Sequence, residues 1–321
     1  MEKTMSYVVK YSQWGGPSVL RIEQENARAP GVGEVLIKQE AIGVNFVDTM
    51  FRDGTFKVAL PAVAGVEGAG TVEAVGPGVT RFAAGDRVAY FFAPGSYATQ
   101  RIVSEDVLVK VPDDISAEKA ATILTKGLTA WMAINAMAKP DKDARVLVQG
   151  ATGGVGNLLA RWLRARGIAV IGTGSSRKLA DLEQAVDHAF AYETLALNDH
   201  IRSLAPNGVD VVYELVGATT FASTLGSIRD GGTIAVIGAA SGGAAIDEAE
   251  LSRRGIRLVR GSTGQHVTKA NLQSAADEVF DAWRTGVFGK ISARKYPLSE
   301  AQRAHADILE RRSSGPMVLI P

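Results

Sequence analysis

The spacing of apolar positions changes character near residue 144. Between Ser6 and Pro112, short apolar runs such as Val35–Gln39, Ala69–Val75 and Val88–Phe92 read as strands. Turn-forming clusters separate them: Gly15-Gly16-Pro17, Pro30-Gly31, Gly76-Pro77-Gly78 and Gly85-Asp86. The pattern predicts a compact, partly open β-barrel with few long helices. After Pro112-Asp113-Asp114 the Ala-rich segment Ser116–Met137 reads as a helix with Ser116 as its N-cap.

From Ala144 onward, apolar runs alternate with helical patterns. Strands are expected at Arg145–Gln149, Ala169–Gly172, His188–Ala191, Val209–Glu214, Thr233–Ile237 and Ile256–Val259. Continuous apolar strands joined by helices imply a parallel sheet covered on both faces. Beyond Thr263, a helix (Ala270–Arg284), the strand-like Ile291–Tyr296 and a last helix (Glu300–Arg311) lead to the apolar tail Met317–Pro321. That tail is expected to return to the N-terminal domain. The division expected is residues 1–121 with 263–321 in one domain and 122–262 in the other.

The stretch VLVQGATGGVG (Val146–Gly156) carries the clearest chemistry. An apolar strand ends in Gly150, Gly153, Gly154, Val155 and Gly156, and a helical pattern, Asn157–Arg166, follows at once. Glycine every third residue lets the backbone turn sharply and approach a bound group, while the helix N-terminus offers N–H donors to a diphosphate. The spacing is G-x-x-G-x-x-G, so the motif draws its force from the strand before and the helix after. With six strands, this gives a doubly wound parallel sheet of the Rossmann type.

Which dinucleotide binds is read from the end of the second strand. NAD-binding versions of this fold place an acid about 20 residues past the glycine turn, where it bonds the adenosine ribose. Here Thr173-Gly174 is followed by Ser175, Ser176, Arg177 and Lys178, with no carboxylate before Asp181. Hydroxyls and cations welcome a 2′-phosphate, so NADPH is preferred to NADH. Arg177 and Lys178 as solvated residues opening a helix is the alternative.

Composition narrows the chemistry further. The 321 residues are 46% hydrophobic and 21% charged, with net charge +1. That is ordinary globular composition, with no field to attract nucleic acid or an anionic membrane. No apolar run approaches membrane-spanning length and no signal-peptide core is evident, so a cytoplasmic protein is expected. The chain has no cysteine, which excludes disulfides, iron–sulfur clusters, thiol catalysis and thiolate-held zinc. Its four histidines are scattered; no metal site is expected.

The chain resembles the zinc-free quinone oxidoreductases of the medium-chain dehydrogenase/reductase superfamily. The resemblance rests on Asn45-Phe46-Val47-Asp48-Thr49, Gly65-Val66-Glu67-Gly68-Ala69-Gly70, Ala84-Gly85-Asp86-Arg87-Val88, Lys126-Gly127-Leu128-Thr129-Ala130, the glycine turn and Val211–Gly217. Tyr296-Pro297-Leu298 and Ala301–His305 close the series, and their joint order is specific. It implies a GroES-like, β-rich catalytic domain beside the Rossmann-type domain. Zinc members of the superfamily carry cysteine where this chain has Asn45 and histidine where it has Val66. Without a Lewis acid, alcohol oxidation loses transition-state stabilisation. A conjugated acceptor needs less help, because charge delocalises into an enolate or hydroquinone anion.

The resemblance also implies residue roles. Asn45 faces the nicotinamide and the substrate; a loop amide bonding its own backbone is the alternative. Thr129 bonds the carboxamide, or is a helical Thr bonded to its own backbone. Val216 and Gly217, with Gly238, Ala239, Ala240 and Ser241, line the nicotinamide. Ser176, Lys178 and Tyr192 hold the adenosine end beside Ser175, and Arg312 approaches from the tail. Met50 and Phe56 replace two tyrosines found near the substrate opening in some relatives, giving a more apolar pocket or simple core packing. The resulting expectation is metal-independent, NADPH-dependent reduction of quinones or other conjugated carbonyls. Enoyl-thioester or 2-alkenal reduction and non-catalytic NADPH binding stand as alternatives. Strand Ile256–Val259 would be an exposed sheet edge, from which a homodimer is expected.

Overall fold

The computed structural model describes residues 5–26, 28–310 and 315–321. The chain forms two compact units: Met1–Thr125 with Lys269–Phe280 and Ile291–Pro321, and Lys126–Thr268 with Asp281–Lys290. The sequence division assigns 122–125 to the second unit and all of 263–321 to the first, whereas 122–125 fall in the first and 263–268 in the second. Asp281–Lys290 lies in the second, where Phe288 meets Trp162 edge-on at 5.4 Å between ring centroids.

The first unit is built on β-structure. Its strands are β1 (Met5–Tyr11), β2 (Arg21–Asn26), β3 (Glu34–Val44), β4 (Ala62–Val63), β5 (Gly68–Val75), β6 (Arg87–Tyr90), β7 (Gln100–Ser104) and β8 (Leu108–Lys110). β3 is the hub, pairing antiparallel with β5 and β7. The β3–β5 register shifts between Leu36 and Ile37 and again between Gln39 and Ala41; such irregularities bend a sheet. At Gly70 any Cβ would stand 2.0 Å from the Lys38 carbonyl oxygen, so only glycine permits the contact. Val35, Ile37, Val72, Val88, Tyr90 and Leu108 fill the core between these strands. Helix α1 (Phe46–Asp53) follows β3 directly.

Helix α2 (Ala117–Met132) leads into the second unit. The sequence pattern had extended it to Met137; instead the winding loosens to a π-helical turn over Ala133–Ala138, and Lys139 ends it at φ 48° before Pro140. The second unit then forms β9 (Arg145–Gln149), α3 (Gly154–Ala165), β10 (Ala169–Gly174), β11 (His188–Ala191), β12 (Val209–Glu214), β13 (Ile228–Val236) and β14 (Arg257–Arg260). All pair parallel in the order β11-β10-β9-β12-β13-β14. The apolar run VLVQ of β9 is buried throughout, as a strand with neighbours and covers on every side must be. Because the order reverses direction at β9, a crevice opens at the carboxyl ends of β9 and its neighbours.

Finally β15 (Arg294–Pro297) and β16 (Met317–Ile320) close the first unit. β16 pairs antiparallel with β3, Met317 opposite Val44, so the tail does return to the N-terminal sheet. The strand expected at Ile291–Tyr296 begins only at Arg294, and the one expected at Val88–Phe92 ends at Tyr90. Phe92 takes φ 53°, which no strand accommodates. Among the described residues, no helix is long and apolar enough to cross a membrane.

Candidate cofactor and acceptor site

In the second unit, the glycine turn makes an open cradle. Gly150 sits at φ 85°, and a Cβ on Gly156 would lie 2.2 Å from the Gly150 carbonyl oxygen. The turn can close only without side chains there. Gly153 caps α3 with no side-chain hydrogen bond, and both Gly153 and Gly154 are exposed. The first N–H groups of a twelve-residue helix therefore face solvent. The aliphatic chain of Lys126 runs alongside, about 3.2 Å from where a Gly154 Cβ would stand. Sequence reasoning missed Lys126 as a site residue, because nothing local in the chain links it to the turn. The cradle fits a diphosphate: exposed glycines at a helix N-terminus, with the aliphatic chain of Lys126 alongside.

At the carboxyl end of β12, Glu214 organises the next loop. Its buried carboxylate accepts from the Val216 and Gly217 N–H groups at 2.8 and 2.9 Å and from the Thr220 and Thr224 hydroxyls at 2.8 and 2.6 Å. Ser241 N–H and Oγ both donate to the Val216 carbonyl, at 2.7 and 2.9 Å. Gly238 N–H donates to the Glu214 carbonyl, and a Cβ on Gly217 would lie 3.3 Å from Ala239 Cα. Val216, Gly217, Gly238, Ala239 and Ser241 are thus brought together at one end of the sheet. Thr129 is half-buried, its hydroxyl 3.1 Å from that of Thr263.

The residues expected to meet the adenosine end also converge. β10 ends at Gly174, Ser175 opens a 3-10 turn over Ser176–Lys178, and the Tyr192 N–H donates to the Gly174 carbonyl at 2.9 Å. The structure adds an acid here: the Ser176 N–H donates to Glu193 Oε2 at 3.3 Å. Glu193 lies beyond the end of the second strand, where such an acid is expected, because it follows the third. Arg312 lies outside the described residues.

In the first unit, Asn45 is buried and is the N-cap of α1 in a capping box with Asp48. Its Nδ2 donates to Glu67 Oε1 at 2.8 Å, and Glu67 Oε2 accepts from the Thr125 N–H at 3.1 Å. Gly43 leaves room for that carboxylate; a Cβ there would stand 2.0 Å from Glu67 Oε1. Behind α1 runs a buried chain of four side chains. Arg52 Nη1 is 3.0 Å from His305 Nδ1, His305 Nε2 is 2.9 Å from Tyr97 Oη, and Tyr97 donates to Asp48 Oδ2 at 3.1 Å. Arginine can only donate, so His305 accepts at Nδ1 and donates from Nε2. Burial, with the Arg52 guanidinium beside it, pushes the His305 pKa down to about 3. Met50 is half-buried and Phe56 is 44% exposed.

Comparison with known proteins settles the family. Residues 31–113 match the family model for the alcohol dehydrogenase GroES-like domain, and residues 154–281 that for zinc-binding dehydrogenases. The chain is 35% identical to a quinone oxidoreductase of Pseudomonas aeruginosa, over 99% of this chain and 100% of the relative. It belongs to the quinone oxidoreductase family of the medium-chain dehydrogenase/reductases. A 2-haloacrylate reductase of Burkholderia sp is 33% identical over 96% of both chains. The crystal structure of Escherichia coli quinone oxidoreductase complexed with NADPH superposes with a TM-score of 0.94 at 32% identity, covering 98% of this chain and 100% of that one. The chain is an oxidoreductase with GroES-like and Rossmann-type domains. The zinc in one matched family's description does not fit the residues here. Val66 is apolar and fully buried, the chain lacks cysteine, and no group of three metal-ligating side chains occurs among the described residues.

Proposed function

We propose that this protein reduces quinones with NADPH, as a homodimer in the cytoplasm. The observation that carries the reading is the bare, solvent-facing N-terminus of α3 with Lys126 beside it. Helix N–H groups facing solvent attract an anion, and a dinucleotide diphosphate is such an anion. Gly150, Gly153, Gly154, Val155 and Gly156 would hold it. Ser175, Ser176, Lys178 and Tyr192 would take the phosphorylated adenosine, and Thr129, Val216, Gly217, Gly238, Ala239 and Ser241 the nicotinamide. NADPH when bound supplies a hydride; with one proton from water, quinone becomes quinol and NADP+ is left.

The chain's own groups bind and orient. Glu214 ties Val216 and Gly217 into one loop conformation, so the face they present is set before any ligand arrives. Asn45 is held by Glu67 and by its place at the head of α1, so its amide meets an acceptor oxygen without reorganising. Met50 and Phe56 give the acceptor apolar neighbours. Likeness to the Burkholderia enzyme supports a second reading, reduction of an activated C=C bond, by the same groups.

The test mixes the protein with NADPH and a panel of quinones and 2-alkenals, following the reduced-cofactor absorbance. Acceptor-dependent oxidation is expected. NADPH binding by fluorescence with no turnover on any acceptor would replace this reading with a non-catalytic one. The homodimer rests on β14, which ends the sheet with β13 on one side only; pairing with a second copy would cover that edge. Light scattering at the monomer mass would remove that part alone.

A further inference from the structure

We propose that Gln149 is a positioning residue for the nicotinamide, acting through a buried row of polar side chains beneath the cofactor loops. The role rests on the placement of NADPH given under the proposed function and adds a residue to it. Adjacent strands carry the row in register: Thr173 of β10 lies beside Gln149 of β9, and Gln149 beside Glu214 of β12. Gln149 and Glu214 end their strands, and Thr173 is next to last in its own. All three are fully buried, as is Thr224 on the helix Phe221–Ser227. The Thr173 hydroxyl donates to Gln149 Oε1, Gln149 Nε2 reaches Thr224 Oγ1 at 3.4 Å, and Thr224 donates to Glu214 Oε2 at 2.6 Å.

Glu214 sets the direction of the row. A carboxylate only accepts, so the Thr224 hydroxyl gives it a proton and turns a lone pair toward Gln149. Gln149 meets that lone pair with an N–H, which leaves its carbonyl oxygen for Thr173. At one end the same carboxylate holds the Val216 and Gly217 N–H groups. At the other, the Ala151 N–H, one residue past Gly150, donates to the Thr173 carbonyl at 2.9 Å. Gln149 thus links the glycine turn to the loop proposed for the nicotinamide.

Packing alone would place apolar residues at this level of the sheet. The preceding residues of β9, Val146, Leu147 and Val148, are apolar and fully buried. The register partners flanking the row are apolar too, Phe190 beside Thr173 and Val236 beside Glu214. Polar side chains fill the three strands whose ends lead to Ser175, to the glycine turn and to Val216. A buried amide or hydroxyl is costly unless bonded, and apolar groups of the same shape would serve the core as well. What the bonds add is a fixed orientation for Glu214 and the loop it holds.

The experiment compares wild type with Gln149→Met, which fills similar space without hydrogen bonds, and with Thr173→Val at the far end of the row. Amide hydrogen exchange is read by NMR on protein without cofactor. The Val216 and Gly217 N–H groups should exchange about tenfold faster in Gln149→Met, while the β9 amides stay as slow as in wild type. NADPH affinity should fall about fivefold, against less than about twofold for adenosine 2′,5′-bisphosphate, which lacks the nicotinamide. Turnover of a quinone should drop about tenfold in kcat, because hydride transfer tolerates little displacement of the ring. Thr173→Val should follow the same pattern more weakly, and Thr173→Ser, which keeps the hydroxyl, should match wild type. Equal losses for both nucleotides, or unchanged exchange at Val216 and Gly217, overturn the proposal and leave the row serving the sheet alone. If wild type binds NADPH but reduces no quinone, the reductase reading fails, and exchange with the two affinities still decides the row. If wild type binds neither nucleotide, the cofactor placement falls and the nicotinamide role falls with it.

Discussion

The two units build their candidate sites by opposite means. In the second unit the cradle is backbone: glycines at the head of α3, N–H groups facing outward, and a loop whose N–H groups are gathered by one carboxylate, Glu214. In the first unit the work falls to side chains, a buried line from Glu67 through Asn45 and Asp48 to Tyr97, His305 and Arg52. Backbone sites tolerate no added atoms but need few particular side chains. Side-chain networks tolerate changes of shape but demand that every donor meet an acceptor. The contrast predicts different failures: steric for one unit, protonic for the other.

The steric failure is the larger. In Gly156→Val the new Cβ meets the Gly150 carbonyl oxygen at 2.2 Å, and backbone cannot swing aside as a side chain can. The turn must open, and the N–H groups lose their common aim. NADPH affinity should fall by about a thousandfold, ~4 kcal/mol, in a fluorescence titration, with the far-ultraviolet circular dichroism of the protein retained. Affinity within about threefold of wild type would show that the cradle is not the diphosphate site.

The protonic failure is read with pH. His305 has its pKa lowered to about 3 by burial, against 6.5 for an ordinary histidine. It is neutral when folded and takes a proton when unfolded, so its contribution is complete above about pH 6.5. As pH falls from there toward 3, stability declines by up to ~1.4 kcal/mol per unit from this group alone. His305→Gln supplies an acceptor for Arg52 and a donor for Tyr97 without a titrating ring. Urea unfolding should give the variant a shallower loss of stability than wild type between about pH 6 and 4, with similar stability at pH 7. Parallel curves would mean that the imidazole titrates normally.

Legibility in the sequence follows the same divide. The cradle could be read because its parts are local: strand, glycines and helix occupy Val146–Ala165. The parallel sheet followed from apolar runs alone. The side-chain line was opaque, because its members are 22, 49, 208 and 253 residues apart in sequence, and no periodicity connects them. One part was readable: Asn45 and Asp48, three apart at a helix start, have capping-box spacing. Glu214 left a trace as well, a carboxylate closing the apolar run Val-Asp-Val-Val-Tyr. Phe92 left none. A strand pattern continues through it, and only tertiary packing decides that the backbone turns over there.

The smallest effect tests where the two modes meet, at the adenosine end. There a backbone donor, the Ser176 N–H, is held by a side chain, Glu193, at 3.3 Å. Both residues are exposed, so solvent weakens any charge effect. A 2′-phosphate approaching Ser176 must displace that carboxylate and meets a like charge as it does so. Glu193→Gln keeps the acceptor and removes the charge. NADPH should then bind about threefold more tightly at low salt, less so as salt is added, while NADH binding stays the same. An equal gain for both dinucleotides would place the repulsion at the diphosphate instead. No gain for either would mean that Glu193 swings clear into water, and that backbone donors and the Lys178 cation discriminate between the cofactors without opposition from this acid.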